Sequence, residues 1–349
     1  MNAEATAVRP GFELDVEALT CWLVDRIPGF AGPLRIDQFS GGQSNPTFRL
    51  TTPRASYVLR RKPTGHLLKG AHAVDREARV MTALGAAGLP VPHVRALCTD
   101  DAVIGSWFYV MDLVGGRIFW DGGFPGIGRA ERTALQDAMG HTLAALHSIE
   151  PDAVGLNDYG RHGGYFERQV ARWSRQYLED EAAGRTVDMD FLIEWLPAHL
   201  PPDGLTRVVH GDYRVDNMIF HPTEPRVVAV LDWELSTLGD PVVDFAYNLM
   251  MYRVPSSMPW GLADRDLTAL GLPSEAEYVA AYCRRTGRET IPDLDVYLAF
   301  NLFRLAAIIH GIKGRLIRGT AASADAGTIV ARMDLLAGIA RSVAERIAR

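Results

Sequence analysis

The spacing of hydrophobic positions changes along the first sixty residues, and the change predicts the order of the elements there. From 16 to 27, apolar residues recur at three- and four-residue steps, which predicts an amphipathic helix that ends before Pro28. Beyond Pro28, short runs of β-type residues are separated by glycine and proline. These runs are Arg35 to Phe39, Thr47 to Leu50 and Tyr57 to Leu59. They predict a small antiparallel sheet.

The pattern becomes mainly helical later in the chain. An apolar stripe over 74–84 predicts one helix, the run from Ser106 to Leu113 predicts a further strand, and a second stripe over 135–146 predicts another helix. Strands therefore precede helices. This segregation predicts an α+β protein, with a sheet-rich N-terminal lobe at 1–113 and a larger helical C-terminal lobe at 114–349.

Composition narrows the class of protein. The chain has 349 residues, 48% of them hydrophobic, and a net charge of −6. This apolar fraction is sufficient for a packed core, and the acidic balance argues against binding to nucleic acid or to an anionic membrane. The most apolar stretch, 297–312, contains polar residues and is interpreted as a buried helix.

The cysteines and the N-terminal segment bear on the cellular compartment. Cys21, Cys98 and Cys283 are odd in number and lie far apart, which favours neither a disulfide framework nor a zinc site. The first twenty residues are too acidic for a secretory signal. We expect a soluble protein in a reducing compartment, the cytoplasm.

The segment from 207 to 246 carries the candidate chemistry. A short apolar run leads into His210-Gly-Asp212, Asn217 follows five positions after Asp212, and a second apolar run ends at Asp232. Phosphoryl transfer to a hydroxyl uses one carboxylate to orient the acceptor. It also uses carboxylate and amide oxygens to hold the Mg²⁺ that accompanies the nucleotide.

The same order of His, Asp, Asn and Asp occurs in the catalytic and metal-binding segments of protein kinases. With glycine in the middle of the first motif, and with Asp232-Trp-Glu234 as the second, the sequence more closely resembles the aminoglycoside phosphotransferase and choline kinase group. Within that group, three segments resemble the phosphotransferase domains related to acyl-CoA dehydrogenase family members 10 and 11. These segments are 39–45, 57–63 and 210–217.

The resemblance implies a bilobal protein-kinase-like fold with ATP and Mg²⁺ as cofactors. It implies Asp212 as the catalytic base, Asn217 and Asp232 as magnesium ligands, and His210 as a support of the catalytic loop. Alone, His-Gly-Asp is weak, because Gly-Asp is common in turns and Asp212 could cap a helix. Asp240 and Asp244 are interpreted as turn and helix-start residues.

The N-terminal lobe is expected to hold the nucleotide. The glycine-containing segment between two predicted strands could bring backbone N–H groups against phosphates, although a hairpin turn would look the same. Backbone groups of the strand from Met111 to Leu113 are expected to bind the adenine edge, with core packing as the alternative for its side chains. The residues assigned to the glycine segment are Ser40, Gly41, Gly42, Ser44 and Asn45.

The chain departs from kinases where their phosphate-binding lysine should end the third strand. Strand alternation places Arg60 and Lys62 on one face, so that either could reach the phosphates. Alignment favours Arg60, whose guanidinium can grip phosphate with two nitrogens. Glu77, on the helix that follows, is expected to pair with this cation on the motif context, with a surface charge as the less favoured alternative.

Local charge suggests the class of acceptor. Residues 241–349 carry a net charge of +2 and the remainder −8. A site for polycationic aminoglycosides should gather carboxylates, so this distribution argues against antibiotic resistance. The stretch 296–320 contains Arg304, Lys313 and Arg315 and no acidic residue, which suggests an anionic small-molecule acceptor such as a hydroxyacyl-CoA. A solvated helix face is the alternative.

Two other functions stay open. Arg60 in place of lysine is compatible with a catalytically silent module that binds nucleotide or acyl-CoA, whereas the complete set of Asp212, Asn217 and Asp232 favours an enzyme. A protein kinase is less favoured, because only a few residues separate Asp232 from Gly239-Asp-Pro, with no room for a long activation segment. The motifs do not distinguish ATP from GTP.

Overall fold

The computed structural model describes residues 5–39, 45–63, 73–320 and 326–347. The strands are β1 (Ala5–Thr6), β2 (Arg35–Phe39), β3 (Thr47–Thr51), β4 (Ser56–Arg61), β5 (Val94–Cys98), β6 (Phe108–Asp112), β7 (Arg207–Val209), β8 (Met218–Phe220), β9 (Val227–Val230) and β10 (Thr237–Gly239). The helices are α1 (Val16–Val24), α2 (Val74–Ala86), α3 (Asp101–Ile104), α4 (Arg129–Ser148), α5 (Tyr165–Glu179), α6 (Val187–Ala198), α7 (Pro241–Leu249), α8 (Leu267–Leu270), α9 (Glu275–Thr286), α10 (Leu294–Ile317), α11 (Ala326–Val330) and α12 (Met333–Ile347). The order of strands and helices confirms the predicted α+β class.

The described residues fall into two compact units. The first comprises those within 1–118, 154–156 and 216–236, and the second those within 119–153, 157–215 and 237–349. The β8 and β9 hairpin therefore belongs with the N-terminal sheet although it follows a long helical stretch.

The first unit is built on an antiparallel sheet with the strand order β1-β2-β3-β4-β6-β5. One face of the sheet packs on α1, where Leu19, Leu23, Phe48 and Leu59 form part of a fully buried apolar cluster. Alternation along β4 turns Arg60 away from this cluster and towards α2. The sheet therefore separates an apolar face from a face that carries charge.

The hairpin of β8 and β9 is tied to the rest of the first unit by backbone hydrogen bonds. Arg117 and Phe220 exchange two such bonds of 2.8 Å, and the N–H of Val230 donates to the carbonyl of Pro90 at 2.8 Å. Gly116 is required at this place, because a Cβ there would lie 2.3 Å from the carbonyl oxygen of Phe220. The residues that follow β8 and β9 are therefore held in position.

The second unit is organised around α10. This helix packs against α5, α7 and α12. Every residue from 296 to 304 is buried. Within the described part of the chain, α10 is long and apolar enough to cross a membrane, but most of it is buried inside the unit, as in a core helix. The predicted buried helix at 297–312 is confirmed.

Candidate active site

Arg60 is the centre of a charged cluster in the first unit. Its Nη2 atom lies 2.8 Å from Asp232 Oδ1 and 3.1 Å from Glu234 Oε2, and its Nε atom lies 3.3 Å from Glu77 Oε2. Burial alone would lower the pKa of Arg60, but these carboxylates, Glu77 foremost, raise it above its ordinary value. A lysine, with one nitrogen, could not reproduce this set of contacts.

Glu77 is buried within α2 and is contacted by three polar side chains. Besides Arg60, the Asn45 amide donates to Oε1 at 2.9 Å, and the Tyr109 hydroxyl donates to Oε2 at 3.1 Å. Burial raises the pKa of the Glu77 carboxyl above its usual value even though Arg60 opposes this. Glu77 therefore acts with Asn45 and Tyr109 to hold the Arg60 guanidinium in one place. Lys62, in contrast, stacks on the Trp107 ring, 3.9 Å from its centre.

Asp232 lies in a tight turn that follows β9. Its backbone has a φ of +64°, which few non-glycine residues adopt but aspartate tolerates. The next residue, Trp233, is buried, and its indole N–H donates to the carbonyl of Val230 at 2.9 Å. The N–H of Ser236 closes the turn on the Trp233 carbonyl at 3.1 Å. The turn keeps the Asp232 carboxylate partly exposed.

Asn217 and Asp232 are brought next to one another by the pairing of β8 and β9. The N–H of Leu231 donates to the carbonyl of Asn217 at 2.8 Å, so both predicted ligands emerge at the same end of the hairpin. A partly exposed carboxylate and an amide suit Mg²⁺, which is usually held by one or two protein oxygens together with phosphates and water. The described residues contain no cluster of three or more His, Cys, Asp or Glu side chains that would hold a metal alone. The donor set fits a magnesium ion that arrives with a nucleotide.

Asp212 lies in the second unit, in the loop after β7. The Tyr247 hydroxyl donates to its Oδ1 atom at 2.5 Å, and Arg214 Nε lies 3.3 Å from the same oxygen. Burial, and then the charge of Asp212, raise the pKa of Tyr247 far above its usual value, so the hydroxyl remains a donor. The carboxylate is partly exposed and its orientation is fixed.

Asp244 anchors the loop that carries Asp212 through hydrogen bonds to its backbone. The Asp244 carboxylate accepts from the backbone N–H groups of His210 at 2.7 Å and Gly211 at 2.8 Å. The third group on Asp244 is His147, whose Nε2 atom lies 3.2 Å from Oδ2 and whose Nδ1 atom lies 2.7 Å from the Tyr282 hydroxyl. Burial would raise the pKa of Asp244, but His147 and then His210 bring it below its usual value. The buried charge is therefore compensated.

His210 is fully buried and accepts, through Nδ1, from the backbone N–H of Asp212 at 3.2 Å. Its ring thus closes a short turn directly before the candidate base. This is the geometry expected of a support for the loop. Asp240 accepts from the N–H of Val242 at the start of α7, as a helix-start residue should.

Arg304 contacts the same loop from α10. It is buried, donates to the carbonyl of Gly211 at 2.8 Å, and lies over the rings of Trp173 and Tyr247 at 5.8 and 5.4 Å. Arg304 is therefore placed to hold the loop and to support Tyr247. Arg304 was predicted to contact an anionic substrate, and its Nη2 atom is here hydrogen-bonded to the Gly211 carbonyl.

The structure does not bring Arg304, Lys313 and Arg315 together. Lys313 lies nine residues after Arg304 on α10, about 14 Å along the axis and half a turn around it. Arg315 returns to the side of Arg304 but lies about 16 Å from it and is exposed. The three predicted substrate residues are therefore spread along α10, with Lys313 on the side opposite Arg304 and Arg315.

Only some of the other residues predicted to bind nucleotide lie in the part of the chain that the structure describes. Ser40, Gly41, Gly42 and Ser44 lie outside the described residues. Asn45 is fully buried and donates to Glu77. Met111 is buried in β6 opposite Val58, and the N–H of Leu113 faces the carbonyl of Ser56 at 3.5 Å.

Sequence reasoning missed Tyr109, Tyr247 and Glu234. Glu234 had a visible signal, since it stands two positions after Asp232 in the second motif. Tyr247 lies three residues after Asp244 on α7, so the two share a helix face. Nothing in the sequence indicates a site role for Tyr109, which stands within an apolar strand.

Tyr247→Phe tests the fixed orientation of Asp212. We expect kcat to fall about fivefold, the value of one hydrogen bond near 1 kcal/mol, with KM for nucleotide unchanged. The ring that supports Arg304 is retained, so thermal stability should change little. Steady-state kinetics with both substrates varied will measure this. An unchanged kcat would show that the tyrosine hydroxyl does not assist the carboxylate.

The fold and the arrangement of these residues define a protein-kinase-like phosphotransferase. The model of the phosphotransferase enzyme family matches residues 35–297, and the chain belongs to that family. Acyl-CoA dehydrogenase family member 10 of Mus musculus is 46% identical over 297 residues, which cover 84% of this chain and 28% of that protein. The chain spans less than half the length of the curated relatives it matches.

Solved structures agree with this assignment. A crystal structure of a putative aminoglycoside phosphotransferase from Ralstonia eutropha has 48% identity and a TM-score of 0.87, and the match covers 96% of this chain and 99% of that one. A more distant likeness, 15% identical with a TM-score of 0.59 over 92% of this chain and 98% of the other, is aminoglycoside phosphotransferase APH(4)-Ia in ternary complex with ADP and hygromycin B. This second likeness shows the fold alone. The predicted kinase-like fold and family resemblance are confirmed.

Proposed function

We propose that the protein transfers the γ-phosphoryl group of ATP, with Mg²⁺, to a hydroxyl of an anionic small molecule, and that a hydroxyacyl-CoA is the acceptor. The observation that carries the proposal is the fixed, partly exposed carboxylate of Asp212, held by Tyr247 and Arg214 on a loop anchored by Asp244. A carboxylate that is fixed in orientation and partly exposed is suited to orient the hydroxyl of an acceptor.

The proposed reaction is a direct in-line transfer. The acceptor oxygen forms a bond to the γ-phosphorus while the bond from that phosphorus to the bridging oxygen breaks, and ADP leaves with the electron pair. The hydroxyl proton passes to Asp212. Arg60 would neutralise phosphate oxygens, and Glu77 would keep its guanidinium in place.

Asn217 and Asp232 would hold the magnesium ion, which when bound neutralises charge on the phosphates. Arg60 contacts Asp232 directly, so binding of a magnesium nucleotide would exchange this ion pair for contacts with metal and phosphate. The ADP complex of the distant phosphotransferase supports the use of a nucleotide.

The acceptor class is supported by two observations. The segment 241–349, which supplies most of the second unit's helices, carries no acidic excess, whereas a site for polycationic aminoglycosides should be acidic. The curated relatives are named as acyl-CoA dehydrogenase family members, which suggests an acyl-CoA as the molecule handled. An anionic thioester satisfies both.

The experiment is an ADP-release assay with MgATP and a panel of acceptors. The panel contains hydroxyacyl-CoAs with the hydroxyl at carbon 2, 3 or 4, together with choline, glucose and kanamycin. We expect turnover with at least one thioester and none with kanamycin. Strong turnover of kanamycin and none of any thioester would contradict the proposed acceptor.

A catalytically silent nucleotide-binding module is the second candidate, favoured by the contact of Arg60 with Asp232. Arg60→Met and Arg60→Lys distinguish the two. If Arg60 binds phosphate, Arg60→Met should raise KM for MgATP by about 10- to 100-fold, the value of a charged hydrogen bond, and Arg60→Lys should retain measurable turnover. If the natural chain is silent and Arg60→Lys creates turnover, the enzyme proposal is wrong.

A cytoplasmic location is part of the proposal, since ATP and acyl-CoA are supplied there. Cys21, Cys98 and Cys283 are free thiols, which suits a reducing compartment. Fluorescence microscopy of a tagged chain in its native cell measures the location.

A further inference from the structure

A small pocket in the second unit shares two lining residues with the surroundings of Asp212. Arg214 and Tyr247, the two residues whose side chains contact the Asp212 carboxylate, both line it. Most of the remaining lining residues are apolar or carry sulfur: Met139, Val215, Met251 and Trp260. We refer to this space as the methionine pocket.

The polar groups around the methionine pocket are already engaged within the protein. The Asn248 amide donates to the carbonyl of Tyr213 at 3.2 Å, and its oxygen accepts from the Tyr278 hydroxyl at 2.7 Å. The Tyr247 hydroxyl is directed at Asp212. A ligand group in this pocket therefore meets methyl, thioether and aromatic surface, and a polar group there would lose its hydrogen bonds to water.

The free volume of the methionine pocket, about 10 Å³, is enough for one water-sized or methyl-sized group. Met139 and Met251 have flexible, unbranched side chains and could adjust to a second carbon. A longer rigid group would overpack the pocket.

We propose that the methionine pocket receives a short alkyl group, methyl or ethyl, attached to the carbon that bears the acceptor hydroxyl. The inference rests on the proposed function, since it assumes that this hydroxyl is directed to Asp212. Arg214 and Tyr247 contact the carboxylate and also line the pocket, and on this ground we assign the pocket to the group attached to the hydroxyl-bearing carbon. The acceptor is then a secondary alcohol with a short alkyl end and an anionic remainder outside the pocket.

This geometry also explains which alcohols would be rejected. In a sugar or an aminocyclitol, the carbons beside the reacting hydroxyl carry further hydroxyl or ammonium groups. Placing these groups against Met139, Met251 and Trp260 would leave them without partners, which should disfavour such alcohols by about 10²-fold.

The first test is a series of hydroxyacyl-CoAs with one hydroxyl position and different alkyl groups beyond it: 3-hydroxypropionyl-, 3-hydroxybutyryl-, 3-hydroxypentanoyl- and 3-hydroxyoctanoyl-CoA. We expect kcat/KM to rise about fourfold from hydrogen to methyl, the value of one buried carbon, and to fall again for pentyl. Equal kcat/KM across the series would overturn the inference. If the panel assay shows turnover only for hydroxyls at carbon 2 or 4, the same four alkyl groups are compared at that position.

Met251→Ala should enlarge the pocket and move the optimum to longer alkyl groups. Met251→Leu is the matched control, because it nearly conserves volume and should keep the original order of substrates. Circular dichroism and nucleotide-induced thermal shifts identify a variant that has lost its fold. A folded Met251→Ala protein with the original order of substrates would contradict the proposal.

A binding measurement separates this inference from the proposed reaction. In protein labelled with ¹³C at the methionine methyls, the signals of Met139 and Met251 are assigned through Met139→Leu and Met251→Leu, and 2-butanol or glycerol is added. Movement of both signals with 2-butanol and not with glycerol would support an alkyl-binding pocket even if no thioester were turned over. If thioesters are turned over but neither signal moves, the function stands and the pocket assignment is wrong.

Discussion

Replacing Asp212 by asparagine is expected to lower kcat by about 10²–10⁴-fold, the usual contribution of a positioned general base. Asparagine keeps the size of the side chain and can still accept from Tyr247, but it cannot take the proton of the acceptor hydroxyl. KM for MgATP should change little, because the nucleotide-binding candidates lie around Arg60 in the first unit. Steady-state kinetics and nucleotide-induced thermal shifts measure the two effects separately.

Asp137→Asn is the matched control for this substitution. Asp137 lies on α4 in the same unit, is largely exposed, and its carboxylate pairs with Arg285. The control should keep both kcat and thermal stability. If Asp212→Asn retains near-normal turnover, the base has been assigned to the wrong residue. This outcome would not bear on the identity of the acceptor.

The features predictable from the sequence are those that local pattern encodes. The stripe at 74–84 corresponds to α2, and the β-type runs correspond to β2, β3 and β4. Strand alternation placed Arg60 on the charged face of the sheet, and motif order suggested its contact with Glu77, which the structure contains. In contrast, β5 has a half-exposed alternation on a sheet edge and no strong apolar run, so the periodicity does not reveal it.

The contacts that fix the candidate base connect residues far apart in the chain. Asp244 is 33 residues from Gly211, Tyr247 is 35 from Asp212, and Arg304 is 93 from Gly211. No spacing rule along one helix or strand encodes such pairs. Arg304 illustrates the resulting difficulty, because its position in a run of cations suggested contact with an anionic substrate, whereas tertiary packing buries it against the loop that carries Asp212.

Asp244→Ala is expected to have the largest effect on stability. Asp244 is buried, accepts from two backbone N–H groups and lies 3.2 Å from His147 Nε2. Alanine would leave these donors buried without partners, which costs about 1–3 kcal/mol for each unsatisfied group. Urea denaturation followed by circular dichroism measures the change, with Asp188→Asn, a partly exposed carboxylate paired with Arg341, as the control that should fall within error.

The loss caused by Asp244→Ala should also depend on pH. The pKa of Asp244 in the folded protein lies below its ordinary value of 3.8, because His147 and the N–H of His210 outweigh the effect of burial. A carboxyl with a depressed folded pKa contributes stability above its unfolded pKa and loses that contribution as the pH falls through the folded value. The difference in unfolding free energy between the wild type and the variant should therefore be constant at neutral pH and shrink below about pH 4. A difference that stayed constant into acid would contradict the depressed pKa of Asp244, because it would mean that protonating the carboxyl does not weaken the loop.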